Sequence, residues 1–251
     1  MRIAPPGYPV LSIVVPLHNE ERRLPACMAS LITQIEISGL QAEIILVPNG
    51  CGDRTTELAI RYHETVRPWV RVLALRERGK GAAVRNGMLT ARGKFIYMAD
   101  VDLSTPAREI LNFLDACEHG YDVVIGSREL CPERTQTTPK RRAIGRVFHL
   151  ATRVLVPGVR DTQCGFKMFR REAAQRIFRQ ASINGLAFDV EALYLARRLG
   201  LSILEISVDW KNDPDSRVRM LVDSPGMLMD VLTLPLRHAN LSREGGDIHA
   251  A

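Results

Sequence analysis

FIYMADVDLSTP, residues 95–106, sets an apolar run, Phe95 to Met98, directly before two carboxylates, Asp100 and Asp102, and then Ser104-Thr105-Pro106. A short apolar run bounded by turn residues reads as a strand buried on both faces. Proline close behind a serine and a threonine reads as the first turn of a helix. A strand that feeds a helix is the unit of a parallel sheet, and in such sheets ligands gather beyond the strands' carboxyl ends. Side-chain alternation turns Asp100 and Asp102, two positions apart, toward the same ligand. Two hard oxygen donors there suit Mg²⁺ or Mn²⁺ bridging a diphosphate. A plain turn is the other reading, since Asp213-Pro-Asp215 repeats the spacing without that setting. The strand before the first pair and the helix start after it favour the ligand.

Four more runs of the same kind flank this one: LSIVVP (11–16), EIILVP (43–48), VRVLAL (70–75) and DVVIG (122–126). Helical stretches fit between them, around 24–38, 54–66, 80–92 and 106–117. The alternation predicts a single α/β domain with a mostly parallel sheet and helices on both faces. It also gathers five polar loops on one edge: His18 to Glu20, Asn49 to Asp53, Arg76 to Lys80, Asp100 with Asp102, and Ser127 with Arg128.

The 251 residues are 46% hydrophobic, enough for one large core. No run of about eighteen apolar residues occurs, and MRIAPPGYPV has no apolar signal core, so a cytoplasmic protein is expected, with contact at the inner face of a membrane left open. Five scattered cysteines without C-x-x-C spacing read as reduced thiols. The net charge of +6 is concentrated: between Arg128 and Arg179 stand thirteen Lys or Arg against four Asp or Glu. Such a patch attracts phosphates. Its few phenylalanines sit in apolar settings, which argues against base stacking and so against nucleic acid. Within it, Arg142, Arg146, His149 and Arg153 fall on one face of a predicted helix, 140–156, and Ile144, Phe148, Ala151 and Leu155 on another. That helix is either a solvated surface element or one that lies on a membrane surface. The C-terminal SPGMLMDVLTLPLRHANL is too short to span a bilayer and is broken by Pro235.

In this order and spacing, IVVPLHNEE, VPNGCGDRT, RGKGAAVRNGM, YMADVDLSTP, IGSRE, DTQCGFKMF and FDVEALYLA resemble the family 2 glycosyltransferases of the GT-A fold. Among these the chain is most similar to the branch that transfers glucose or mannose to dolichyl or polyprenyl phosphate. The resemblance covers about residues 10–220. It implies a Rossmann-like GT-A domain there, an N-terminal extension (1–9), and a C-terminal helix and tail (221–251). It further implies an inverting, metal-dependent transfer of a hexose from a nucleoside-diphosphate sugar to a polyprenyl-phosphate acceptor, with Mg²⁺ or Mn²⁺ as cofactor. DTQCGFKMF and FDVEALYLA resemble the glucosyl side, which implies UDP-glucose.

The family pattern also implies roles. Pro16, Asn19 and Glu20 hold the base and ribose, although a polar cap for the next helix explains the same residues. Asn49 stands where relatives often have Asp, and its amide oxygen is suited to accept a uracil N–H. Lys80 and Arg85 bracket Gly81, where a small residue lets backbone approach a ligand and the cations face the donor. Asp100 and Asp102 handle diphosphate and metal, Asp102 as the direct ligand. Arg128, Arg142, Arg146 and Arg217 contact an acceptor phosphate, which is ionised near pH 7 and needs cations rather than a base. With a soluble hydroxyl acceptor, such as a secondary metabolite or carbohydrate, Asp189 becomes the base. Outside enzymes, a non-catalytic nucleotide- or nucleic-acid-binding protein also explains the basic patch, but leaves the convergent carboxylates idle.

Overall fold

The computed structural model describes residues 8–65, 69–131, 133, 135–136, 152–211 and 220–241. Its first half alternates strictly: β1 (Leu11–Leu17), α1 (Leu24–Ser38), β2 (Ala42–Pro48), α2 (Thr55–Thr65), β3 (Val70–Val72), α3 (Lys80–Thr90), β4 (Phe95–Met98), α4 (Ile110–Glu118) and β5 (Val123–Ser127). After β6 (Thr135–Gln136) come β7 (Lys167–Arg170), α5 (Arg171–Phe178), α6 (Phe188–Arg198), β8 (Ile203–Ser207), β9 (Trp210–Lys211) and α7 (Met220–Arg237). Seven strands form one sheet in the order β3-β2-β1-β4-β7-β5-β8, while β6 and β9 pair separately. β7 runs antiparallel to both neighbours, β4 and β5; every other pairing in the sheet is parallel.

Each central strand is buried on both faces, and the alternation sorts its side chains between two cores. Ile13, Val15, Ile44 and Tyr97 pack with Leu24, Met28 and Leu31 of α1 and Phe113 of α4. Val14, Ile45 and Met98 pack with Val84 and Met88 of α3, Ile177 of α5 and Leu193 of α6. The helices form because their apolar positions recur on one side: in α1, Leu24, Cys27, Met28, Leu31 and Ile35 are buried, proline stands in the first turn, and Gly39 closes the helix at φ 65°. Gly87 lets α3 lie directly on the sheet, since a Cβ there would meet Val14 Cγ1 at 2.4 Å. α7 sends Val231 and Leu234 into the core and continues through Pro235 to Arg237, so the expected interruption does not occur. No helix among the described residues is long and apolar enough to cross a membrane. Of the expected basic helix, residues 152–155 are helical; the rest, with Arg142 and Arg146, lies outside the described residues, as does Arg217.

Candidate active site

The parallel strands β1, β2, β4 and β5 end on one edge, and the loops that leave them are tied to one another. Asn19, at φ 57°, accepts the Gly52 N–H on Oδ1 at 2.7 Å. The Glu20 N–H donates to Thr55 Oγ1 at 2.6 Å, and the Glu21 N–H to Asp53 Oδ2 at 3.3 Å. His18 Nδ1 lies 2.8 Å from the Asn49 carbonyl, a hydrogen-bonding rather than a catalytic position. Asn19, Glu21, Arg22, Gly52 and Asp53 line a cleft of about 430 Å³. Pro16 is buried in β1, and Glu20 pairs with Arg23 at 3.0 Å.

Three expectations change here. Asn49 is buried, and its amide donates to the Leu17 carbonyl at 2.8 Å while its oxygen accepts the Gly79 N–H at 3.0 Å. Its polar atoms fasten β1 to the loop before α3, so it shapes the cleft from beneath rather than presenting its oxygen to a base. Arg85 donates to the Ala181 carbonyl at 3.1 Å and braces α3 against the chain after α5. Gly81 does permit a close approach, but of protein: a Cβ would meet the Ile183 carbonyl at 2.3 Å and Phe188 Cβ at 2.8 Å. Those contacts, with the Gly81 N–H bonded to the Asn184 carbonyl at 2.9 Å, seat the start of α3 against the start of α6.

That seating brings Lys80, the first residue of α3, to the carboxylates after β4, its Nζ 2.7 Å from Asp100 Oδ1. On the other side of Asp100 runs the backbone of Gly165, where a Cβ would meet Asp100 Oδ2 at 1.9 Å. Burial alone would raise the Asp100 carboxyl, but the Lys80 ammonium and its hydrogen bond, helped by Lys167 and Arg128, hold it below the ordinary value. Asp102 goes the other way: burial and the Asp100 charge raise it, only partly offset by hydrogen bonds from Ser104. The chain turns sharply between the two, with Leu103 at φ 46° and its N–H on the Asp100 carbonyl at 3.1 Å. The Ser104 N–H holds Asp102 Oδ1 at 3.0 Å. These two carboxylates fit a divalent cation, because Mg²⁺ in such sites is commonly held by one or two carboxylates with substrate phosphates and water completing the shell.

Asp189, in the first turn of α6, meets Lys167 of β7 at 2.6 Å, and both are buried. Burial pushes Asp189 up more than Lys167 and Lys80 pull it down. Glu191 is fully buried on another network, accepting from the N–H and hydroxyl of Ser182, the Ile183 N–H and His238 at 2.8–2.9 Å. Arg128, just past β5, is gripped by Asp161 through Nε at 2.7 Å and Nη2 at 2.8 Å and lies over the Trp210 ring. Glu205 fixes Asp161 in turn by accepting its N–H at 2.9 Å. Lys167, Asp161, Gly165 and Glu205 carry no role in the sequence reading. One signal for Lys167 was present, since a lysine between Phe166 and Met168 needs a buried partner. Burial pushes the thiols of Cys27 and Cys117 up to about 12 and Cys164 up to about 11, which leaves no thiolate nucleophile among these three.

Fold and site together define a GT-A glycosyltransferase: a mostly parallel sheet with one antiparallel strand inserted, and a braced carboxylate pair at its carboxyl edge. The chain belongs to glycosyl transferase family 2, whose model matches residues 12–178. It is 36% identical over 244 residues to the human dolichyl-phosphate beta-glucosyltransferase, covering 91% of this chain and 75% of that protein. With the Dictyostelium discoideum enzyme of the same name the identity is 34%, over 91% and 74%. Among solved structures, glucosyl-3-phosphoglycerate synthase from Mycobacterium tuberculosis in complex with UDP superposes with a TM-score of 0.65 at 19% identity, over 92% of this chain and 80% of that one. The same synthase has been crystallised with Mn²⁺ and UDP-glucose.

Proposed function

We propose that this enzyme transfers glucose from UDP-glucose to a polyprenyl phosphate, with inversion and with Mg²⁺ or Mn²⁺ on Asp100 and Asp102. The observation that carries the reading is the Lys80, Asp100 and Gly165 arrangement at the end of β4, a carboxylate set between a cation and bare backbone beside a second carboxylate. A divalent cation there supplies Lewis-acid stabilisation of the departing diphosphate, worth several kcal/mol. Asn19, Glu20 and the loop fastened by Asn49 bound the nucleoside end, and Lys80 adds a cation beside the phosphates. The acceptor phosphate is its own nucleophile, so it needs orientation and no proton acceptor. Arg128 suits that task because Asp161 and Trp210 fix its guanidinium plane, and Arg142, Arg146 and Arg217, which lie outside the described residues, are further candidates by sequence for phosphate contact. Asp189 then works as the counter-charge of Lys167. The relatives named for dolichyl phosphate support this acceptor over a free hydroxyl, and acting on such a lipid brings the enzyme to a membrane surface.

The test is transfer from radiolabelled UDP-glucose to polyprenyl phosphate and, in parallel, to a panel of small hydroxyl compounds. We expect label in the lipid, loss of transfer on adding EDTA, and a larger defect for Arg142→Ala than for Asp189→Asn once both are shown to be folded. Label in a hydroxyl compound alone, with Asp189→Asn the more damaged, refutes the lipid phosphate acceptor.

A further inference from the structure

Lys80 and a metal ion want the same oxygen. The Lys80 ammonium lies 2.7 Å from Asp100 Oδ1, while Oδ2 is pressed against Gly165, so the open side of this carboxylate is the side the lysine occupies. An ammonium in hydrogen-bond contact disfavours a divalent ion on that oxygen, since the two cations repel at close range. The pair is open to solvent: the side chains of Lys80 and Asp100 are each about a third exposed, 30% and 32%. The ring of Phe188, 5.9 Å from Nζ, flanks the lysine, and Asp102 and Asp189 are close enough to favour its charge. Asp189 is already paired with Lys167, which stays behind when Lys80 moves.

Charge gives the direction of the exchange. Asp100, Asp102, Asp161 and Asp189 face Lys80, Lys167 and Arg128, a net of one negative charge, which a divalent ion alone would overturn to a positive cluster. A diphosphate arriving with the ion restores the balance and gives the displaced ammonium a new partner. We propose that Lys80 is a resident counter-ion of the metal ligand Asp100, which passes to the donor's diphosphate on binding and so makes the site take cation and nucleotide together rather than the cation first. This rests on the proposed use of a nucleoside diphosphate and a divalent ion at this site. Coupling of this kind is reciprocal, and typical cases span about 5- to 150-fold in affinity.

The experiment measures Mn²⁺ and UDP dissociation constants, each alone and with the other saturating, by calorimetry and Mn²⁺ paramagnetic resonance. The proteins are the wild type, Lys80→Met, Lys80→Gln and Lys80→Arg. In the wild type, we expect UDP and Mn²⁺ to tighten one another at least about tenfold. Without the charge, in Lys80→Met and Lys80→Gln, Mn²⁺ alone should bind about tenfold tighter, UDP alone weaker, and the mutual tightening should shrink; Lys80→Arg should behave as wild type. The two uncharged variants guard against a fold defect in either, read by thermal melting. If Mn²⁺ alone binds the folded uncharged variants no tighter than the wild type, the counter-ion role is refuted and the metal site stands. If no protein binds Mn²⁺ even with UDP saturating, the metal reading falls and this proposal with it.

Discussion

Gly165→Ala isolates the geometry on which the site depends. The backbone there is outside the left-handed region, so alanine brings no backbone strain of its own. What it brings is a Cβ 1.9 Å from Asp100 Oδ2 and 2.7 Å from its Cγ, where no real Cβ comes under 3.0 Å. The carboxylate must retreat by about 1 Å or turn off its rotamer; the first spoils its 2.7 Å contact with Lys80, the second costs about 0.5–1.5 kcal/mol. A misplacement of about 1 Å at a reacting centre costs on the order of 10²-fold in rate. We therefore expect Gly165→Ala to lose about a hundredfold in turnover at saturating UDP-glucose and to bind Mn²⁺ more weakly. Its melting temperature should fall by less than about 6 °C, since each kcal/mol shifts a chain of this size by about 2–4 °C. Turnover within threefold of wild type with unchanged Mn²⁺ affinity would refute the claim that Gly165 seats Asp100.

Asp102→Asn replaces a charged oxygen donor by a neutral one of nearly the same volume, and should abolish most turnover without lowering the melting temperature; metal-independent activity in this variant would remove Asp102 from the metal site. Glu191→Ala strands the buried N–H of Ile183, at about 1–3 kcal/mol, while that of exposed Ser182 can turn to water, so thermal melting should drop by at least about 2 °C, and an unchanged melt would overturn the assigned network. Asp161 tests pH dependence. Burial raises its carboxyl, but Arg128 more than compensates and holds it below its ordinary value of 3.8. A carboxyl lowered on folding stabilises the protein fully above its unfolded value and loses that contribution as pH falls through the folded one. The melting-temperature gap between wild type and Asp161→Asn should therefore be constant above about pH 5 and close as pH drops below 3.8. A gap that widens on acidification contradicts the pair.

The strands that can be read from the sequence are those with an apolar run: β1, β2, β4 and β5 begin and end within a residue or two of LSIVVP, EIILVP, FIYMAD and DVVIG, while β3 starts with VRVLAL at Val70 but ends at Val72. β7 escaped because it has four residues, opens on Lys167, and owes its place between β4 and β5 to partners far away in the chain. The loops of the cleft could be read for the same reason as the strands, since topology alone gathers them on one edge. Their pairings could not. Lys167 meets Asp189 across 22 residues and Arg128 meets Asp161 across 33, and no local pattern specifies either. For Gly81 and Arg85 the residue type pointed at a ligand, while the neighbour that fills the space is the chain between α5 and α6.

Which acid of α6 belongs to the cleft follows from helix geometry once the helix is in place. Successive residues advance by about 100° around the axis, so Asp189 and Glu191, two apart, point to nearly opposite sides. Lys167, desolvated in β7, needs a carboxylate, and only the acid on the side toward the sheet's carboxyl edge can supply it. Asp189 lies on that side and enters the charge cluster with Lys80 and Asp100. Glu191, turned away, gathers Ser182, Ile183 and His238, and so anchors both the chain that packs on the start of α3 and the C-terminal helix behind it. One helix turn thus divides the work: Asp189 sets the electrostatics of the cleft, while Glu191 holds in place the scaffold against which Lys80 is aimed.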